Sequence, residues 1–290
     1  MNPTDWNALR SLAMSDVAVC WLCPQACRLR DGQIGRCGAR QAVRGEVLST
    51  SYGQLTALAL DPIEKKPLAR FQPGSQILSL GSYGCNLRCP FCQNSDISQA
   101  QPLAGQQYSP ADVVALARKL QPQGNIGLAY TYNEPLINYE FVRDTARLAR
   151  AAGLVNVLVS NGYVNTQPWI DLLPLLDAAN IDLKAFSSSF YDLVGAPHGL
   201  ATVQHNIELA AAALHLEITT LIIPGLNDSA AEMQELSAWL ASVDPRIPLH
   251  LTRFHPAYQM LDRPATPRAS IQELVAVAQQ HLQSVYAGNM

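Results

Sequence analysis

The chain has 290 residues, of which 48% are hydrophobic and 15% are charged, and this composition excludes a disordered protein. The 20 basic and 23 acidic residues give a formal net charge of −3, which counts against nucleic-acid binding because such surfaces need clustered positive charge. The first residues lack an export signal, and polar residues interrupt the most apolar stretch, 209–226. We therefore predict a cytoplasmic protein without a membrane span.

Segment 1–75 is predicted to be a small cysteine-rich metal-binding appendage. It shows little hydrophobic periodicity and contains four of the seven cysteines, Cys20, Cys23, Cys27 and Cys37. An odd total in a chain without an export signal argues against a disulfide framework. Four thiolates at this spacing are compatible with structural zinc and with an auxiliary iron–sulfur cluster, and the spacing does not decide between them.

From residue 76 onwards, short apolar runs alternate with helical patterns. The runs read as buried strands at 76–80, 126–130, 155–160, 181–184, 217–223 and 248–252. The helical patterns include 109–120, 139–152, 230–241 and a C-terminal helix at 271–286. Strands that are apolar on both faces are typical of a parallel sheet covered by helices. We predict an α/β domain at 76–290. Its six strand–helix units favour an incomplete barrel.

Polar or glycine-containing residues follow each predicted strand. In α/β proteins the carboxyl ends of parallel strands form the edge at which ligands bind and reactions occur. Cys85, Cys89 and Cys92 come directly after the first strand. A cubane cluster usually takes four cysteines, so three leave one iron open. The alternative is a zinc ion completed by a distant histidine such as His255.

The spacing CxxxCxxC, with Phe91 before the last cysteine, resembles the signature of the radical S-adenosylmethionine (SAM) enzymes. The stretches 60–68 (LDPIEKKPL), 130–135 (YTYNEP) and 253–256 (RFHP) resemble the radical SAM enzyme of the AmmeMemoRadiSam system, a group similar to pyruvate formate-lyase activating enzymes. The resemblance extends over 18–289. It implies an incomplete (βα)6 TIM-like barrel and a catalytic [4Fe–4S] cluster on Cys85, Cys89 and Cys92. It also implies that SAM binds the fourth iron and is cleaved to methionine and a 5′-deoxyadenosyl radical.

The same resemblance implies a set of SAM-binding residues. Glu134 stands in the Gly-Gly-Glu motif that meets the SAM amino group, and Asn133 replaces one of its glycines. Lys184 would meet the SAM carboxylate, and Asp182 the ribose or the amine. His255 would approach the ribose, although a structural histidine is nearly as compatible with its context. The whole set comprises Phe91, Asn133, Glu134, Ser160, Asn161, Asp182, Lys184 and His255.

The substrate is not specified by any residue of the sequence. The resemblance implies a flavodoxin- or ferredoxin-type electron donor. It also implies Memo-type and Amme-type partner proteins or, for an activating enzyme, a glycyl radical protein. A non-enzymatic iron–sulfur electron carrier or metal-binding adaptor is the competing class, and it predicts no SAM binding.

Overall fold

The computed structural model describes residues 17–99 and 105–290. Their strands are β1 Val17–Val19, β2 Arg28–Arg30, β3 Arg40–Val43, β4 Glu46–Ser49, β5 Gln54–Leu55, β6 Ala57–Pro62, β7 Gln76–Gly81, β8 Gln106–Gln107, β9 Asn125–Tyr130, β10 Val155–Ser160, β11 Ala178–Asp182, β12 His215–Ile222, β13 Leu249–Arg253 and β14 Val285–Gly288. Their α-helices are α1 Ser95–Ser98, α2 Pro110–Lys119, α3 Tyr139–Ala151, α4 Thr166–Leu172, α5 Ser188–Leu193, α6 Gly199–Ala211, α7 Ala230–Val243 and α8 Arg268–Ala278. Within these residues, every helix is too short or too polar to cross a membrane.

One eight-stranded sheet organises the fold, in the order β14-β13-β12-β11-β10-β9-β7-β6. Strands β7 and β9 to β14 are parallel, and β6 pairs antiparallel with β7 at the edge. Helices connect most of the parallel strands, so the predicted α/β fold of the incomplete-barrel type is confirmed. The sheet includes a strand from within the predicted N-terminal segment 1–75.

The predicted C-terminal helix at 271–286 is wrong in its second half. Helix α8 ends at Ala278, and β14 pairs in parallel with β13. The intervening residues turn back through hydrogen bonds from the His281 and Leu282 amides to the Ala278 carbonyl. Aromatic and β-branched residues at 285–286 favour a strand once an edge is available, and that edge is a tertiary feature that helical periodicity does not report.

The two faces of the sheet are buried in different ways. Leu128, Leu158 and Ala179 belong to the large core between the sheet and its helices. Their neighbours Ala129, Val157 and Ala178 lie on the other face, where they pack against Ile63 and Leu68. The segment 63–71 therefore covers the inner face of the partial barrel.

Side chains of the barrel strands fix this covering segment. The Asn180 side-chain amide donates to the Pro67 carbonyl at 2.8 Å. The Glu217 carboxylate accepts from the Ala69 and Arg70 amides at 2.9 and 2.8 Å. Buried backbone amides need such acceptors, so Asn180 and Glu217 tie the segment to β11 and β12.

Candidate functional site

The loop that follows β7 carries Cys85, Cys89 and Cys92 to the carboxyl edge of the sheet. Its first turn passes directly against the N-terminal hairpins, since the Cys85 amide donates to the Cys37 carbonyl at 3.1 Å. Gly84 makes this approach possible. It has φ +85°, and a Cβ there would lie 2.4 Å from the Cys37 carbonyl oxygen, so only glycine fits.

Cys89 is buried, and Cys85 and Cys92 are partly buried. Burial raises the pKa of Cys85 well above its usual value, with a further contribution from Glu134. Burial also raises the pKa of Cys89 to about 11, against the opposing effect of Lys184. Without a metal these thiols are protonated, whereas a metal centre stabilises the thiolate form.

The donor set of the loop fits an iron–sulfur cluster. Soft thiolates are the ligands that such clusters require. Within residues 17–99 and 105–290, no three His, Cys, Asp or Glu side chains come close enough together to hold a single metal ion. Cys89 and Cys92 both lie close enough to Cys85 to raise its pKa, so one cluster could bind all three thiols.

Glu134 lies buried just after β9 and is held by the end of β10. Its carboxylate accepts hydrogen bonds from the Ser160 hydroxyl at 2.9 Å and from the Asn161 amide at 2.8 Å. It also accepts from the Leu136 amide at 3.0 Å. Burial raises the pKa of Glu134 to about 7, because these hydrogen bonds offset only part of the desolvation and Asp182 adds negative charge.

Asp182 and Lys184 form an ion pair at the end of β11, with 2.9 Å between the Lys184 Nζ and an Asp182 carboxylate oxygen. Burial alone would lower the pKa of the Lys184 ammonium. The nearby Asp182 and Cys89 outweigh the effect of burial, so the pKa is raised. The pair lies near Cys89, as Glu134 lies near Cys85. Glu134 and the Asp182–Lys184 pair therefore both lie close to the cysteine loop.

Asn161 and Phe91 attach the cysteine loop to the barrel. The Asn161 side-chain amide donates to the Asn86 side-chain oxygen at 2.8 Å and lies 3.7 Å from the Cys85 sulfur. Phe91 is buried and packs against Phe190, with 5.8 Å between ring centroids. These contacts hold the loop at a fixed position beside Glu134 and Lys184.

Asn133 and His255 have quite different surroundings. The Asn133 side chain accepts from the Ser82 amide and donates to the Gly84 carbonyl, each at 3.0 Å, so it braces the start of the cysteine loop. His255 follows β13, is exposed, and makes no side-chain hydrogen bond with the described residues.

Residues 80–237 match the model of the radical SAM superfamily. The chain belongs to this superfamily. A relative, an uncharacterized protein of Methanocaldococcus jannaschii, is 37% identical over 279 residues, which cover 93% of this chain and 81% of the relative. Pyruvate formate-lyase 1-activating enzyme of Escherichia coli K12 is 28% identical over 170 residues, or 56% of this chain and 68% of that enzyme.

Among solved structures, a radical SAM methyltransferase from Sphaerobacter thermophilus superposes with a TM-score of 0.58 at 20% identity. The match covers 75% of this chain and 67% of that one, and it shows a shared fold. Superfamily membership implies a [4Fe–4S] cluster and SAM as cofactors, and the donor set of the Cys85 loop fits that cluster.

A further polar cluster was not assigned a role from the sequence. Asp61 accepts from the buried Lys66 ammonium at 2.9 Å and from the Tyr132 hydroxyl at 2.7 Å. Tyr132 has φ +73°, a strained conformation for a tyrosine. The stretches 60–68 and 130–135 contain these residues, but no local pattern indicates that the two stretches meet.

Proposed function

We propose that this protein is an enzyme that cleaves SAM reductively and uses the product to remove a hydrogen atom from a substrate. When bound, the cluster would supply an electron and SAM would supply a sulfonium. Reductive cleavage of that sulfonium gives methionine and a 5′-deoxyadenosyl radical. The observation that carries the proposal is the arrangement at the sheet edge, where Glu134 lies near Cys85 and the Asp182–Lys184 ion pair lies near Cys89. The test is formation of 5′-deoxyadenosine by the reduced, cluster-loaded protein.

In this proposal Cys85, Cys89 and Cys92 ligate three irons and leave the fourth to SAM. The Glu134 carboxylate accepts from the SAM amino group, and the Lys184 ammonium holds the SAM carboxylate. Three more residues would line the remaining SAM surface, namely Phe91, Ser160 and Asn161. Asp182 orients Lys184 through their ion pair and is available to the amine or the ribose, and His255 would reach the ribose.

SAM binding is predicted to tighten as the pH rises through about 7. The ionised Glu134 carboxylate is the stronger acceptor for an amino hydrogen, and its pKa is raised to about 7 by burial, with Asp182 as the neighbouring charge. The ionised fraction therefore grows by about tenfold between pH 6 and pH 8. Equilibrium dialysis of SAM against the oxidised, cluster-loaded protein measures this dependence.

The matched control is Glu134→Gln, which keeps the shape of the side chain and removes its titration. Any pH dependence that this variant retains comes from SAM or from other groups. If wild type and Glu134→Gln show the same pH dependence, Glu134 does not bind the amino group in its ionised form.

Lys184→Met is predicted to weaken SAM binding by about 10- to 100-fold, the usual range for a charge-assisted contact in a shielded site. Methionine keeps the length and apolar contacts of the side chain and removes the ammonium. Lys119→Met is the control, because Lys119 is exposed at the end of α2. Unchanged SAM affinity in Lys184→Met, measured by the same dialysis, would remove Lys184 from the SAM site.

A second candidate function is activation of a glycyl radical protein. It is supported by the 28% identity with pyruvate formate-lyase 1-activating enzyme over 170 residues. Its partners would be a glycyl radical protein and a flavodoxin- or ferredoxin-type electron donor. An electron paramagnetic resonance (EPR) signal from a glycyl radical on a candidate partner, dependent on SAM and this enzyme, tests this function.

The assignment to the AmmeMemoRadiSam system is also part of the proposal. It is supported by the 60–68 motif, in which Asp61 and Lys66 form a buried ion pair, and it makes Memo-type and Amme-type proteins the expected partners. Retention of either partner by the immobilised, cluster-loaded protein would support it.

We also propose that the four N-terminal cysteines hold a second metal centre, with zinc and an iron–sulfur cluster as the two chemistries.

A further inference from the structure

A cavity lies between the N-terminal hairpins and the Cys85 loop, separate from the SAM-binding edge. All four N-terminal cysteines line it, together with Arg40 and Asn86. Its empty volume is about 330 Å³, part of which is open to solvent. The seven cysteines all lie in the described part of the chain and are free thiols, so no disulfide closes this space.

The four thiols surround one cavity and do not meet at a single point in this structure. Tetrahedral zinc requires its sulfur ligands to converge on one point at about 2.3 Å, and no three potential ligands in the described ranges converge in this way. The same is true of Cys85, Cys89 and Cys92, the signature cysteines for a multi-iron cluster in this superfamily. The N-terminal thiols are therefore arranged like cluster ligands around a cavity.

Arg40 lines the cavity and brings one unpaired donor to it. Its two terminal nitrogens donate to the Glu140 carboxylate at 2.9 and 2.8 Å. They also donate to the Ile137 and Val47 carbonyls. The Arg40 Nε is buried and has no hydrogen-bond partner among the described residues. An unpaired buried donor is costly, and a sulfur atom in the adjoining cavity would satisfy it.

We propose that Cys20, Cys23, Cys27 and Cys37 bind a second iron–sulfur cluster, with the Arg40 Nε donating a hydrogen bond to one of its sulfurs. Four thiolates complete the coordination, so this cluster has no open iron and does not bind SAM. The site concerns a part of the chain outside the SAM site, and it does not depend on the function proposed above.

The second cluster would be mechanically linked to the first. The Cys37 carbonyl accepts from the Cys85 amide at 3.1 Å, which joins a ligand of each centre through one backbone hydrogen bond. The Gln25 side-chain amide donates to the Asn86 carbonyl at 3.1 Å. Filling the N-terminal site therefore braces the loop that carries the first cluster.

The test uses the triple variant Cys85→Ala, Cys89→Ala, Cys92→Ala, which removes the first cluster and leaves the second set of ligands intact. After anaerobic purification we expect about two or four irons per chain with equal sulfide and no zinc. We also expect an EPR signal of an iron–sulfur cluster on reduction. One zinc without iron, or no metal at all, overturns the proposal.

Wild-type protein gives the answer if the triple variant does not fold. Iron clearly above four per chain, without zinc, supports the second cluster, whereas about four irons and one zinc overturn it.

Adding Arg40→Met to the triple variant tests the hydrogen bond, because losing a donor and a positive charge should lower the reduction potential of the cluster. Arg44→Met is the control, since Arg44 is exposed in the same segment; equal potentials in the two variants would contradict the role of Arg40.

Discussion

Replacing any one of Cys85, Cys89 and Cys92 with alanine is expected to lower the rate of 5′-deoxyadenosine formation by at least about a thousandfold. Each substitution removes a thiolate from a site that already has one position open. A cluster with two protein ligands is poorly held, and SAM no longer meets a defined iron. The measurement is 5′-deoxyadenosine formed from SAM and dithionite under anaerobic conditions.

The control for this loss is Gln93→Ala, which changes an exposed side chain next to Cys92 in the same loop. It should retain cluster binding and the wild-type rate. Circular dichroism establishes whether each cysteine variant is folded. A folded Cys→Ala variant that forms 5′-deoxyadenosine at the wild-type rate would contradict the assignment of that cysteine to the cluster.

Glu217→Ala is expected to have the largest effect on folding, lowering the free energy of unfolding by about 3 to 5 kcal/mol. The side chain is fully buried, and its loss leaves the Ala69 and Arg70 amides without their acceptor. His215 and His250 lie 2.9 and 2.6 Å from its oxygens and also lose their partner. At a few degrees per kcal/mol, the melting temperature should fall by about 10 °C.

The matched control is Glu208→Ala, because Glu208 is exposed and lies 3.9 Å from His205 in a surface ion pair. Such pairs contribute at most about 1 kcal/mol. A melting temperature for Glu217→Ala within about 2 °C of that of Glu208→Ala would contradict the view that Glu217 anchors segment 63–71.

The stabilisation by Glu217 is also predicted to depend on pH. Burial opposes ionisation of this carboxyl, but hydrogen bonds from His215, His250 and the two amides outweigh it and lower its pKa to about 2. Because the folded pKa lies below the unfolded value, the contribution is present above pH 4.5 and is lost as the pH falls towards 2. The stability difference between wild type and Glu217→Gln should therefore shrink over that interval.

Much of the fold could be predicted because buried parallel strands leave a local signal. The predicted strand at 155–160 coincides with β10, and the run at 76–80 lies within β7. The features that were missed depend on distant partners. Strand β6 forms only against β7, β14 only against β13, and segment 63–71 is held by Asn180 and Glu217.

The same distinction applies to the candidate site. Glu134, Asn161 and Lys184 could be predicted to lie together because each follows a parallel strand, and parallel strands end at one edge. The joining of Asp61 to Tyr132 could not be predicted, since it connects the antiparallel edge strand to a loop 71 residues later. His255 also follows a strand, and its side chain is exposed, whereas that of Glu134 is buried, so position after a strand does not fix how deeply a side chain is buried.

The central claim is tested most directly by reducing the wild-type, cluster-loaded protein with dithionite in the presence of SAM and measuring 5′-deoxyadenosine and methionine. The proposed function predicts that both products form in equal amounts, and that they are absent without reductant or without iron. A fully loaded cluster that is reduced, as shown by EPR, and yet leaves SAM intact would contradict the proposed reaction and favour an electron carrier.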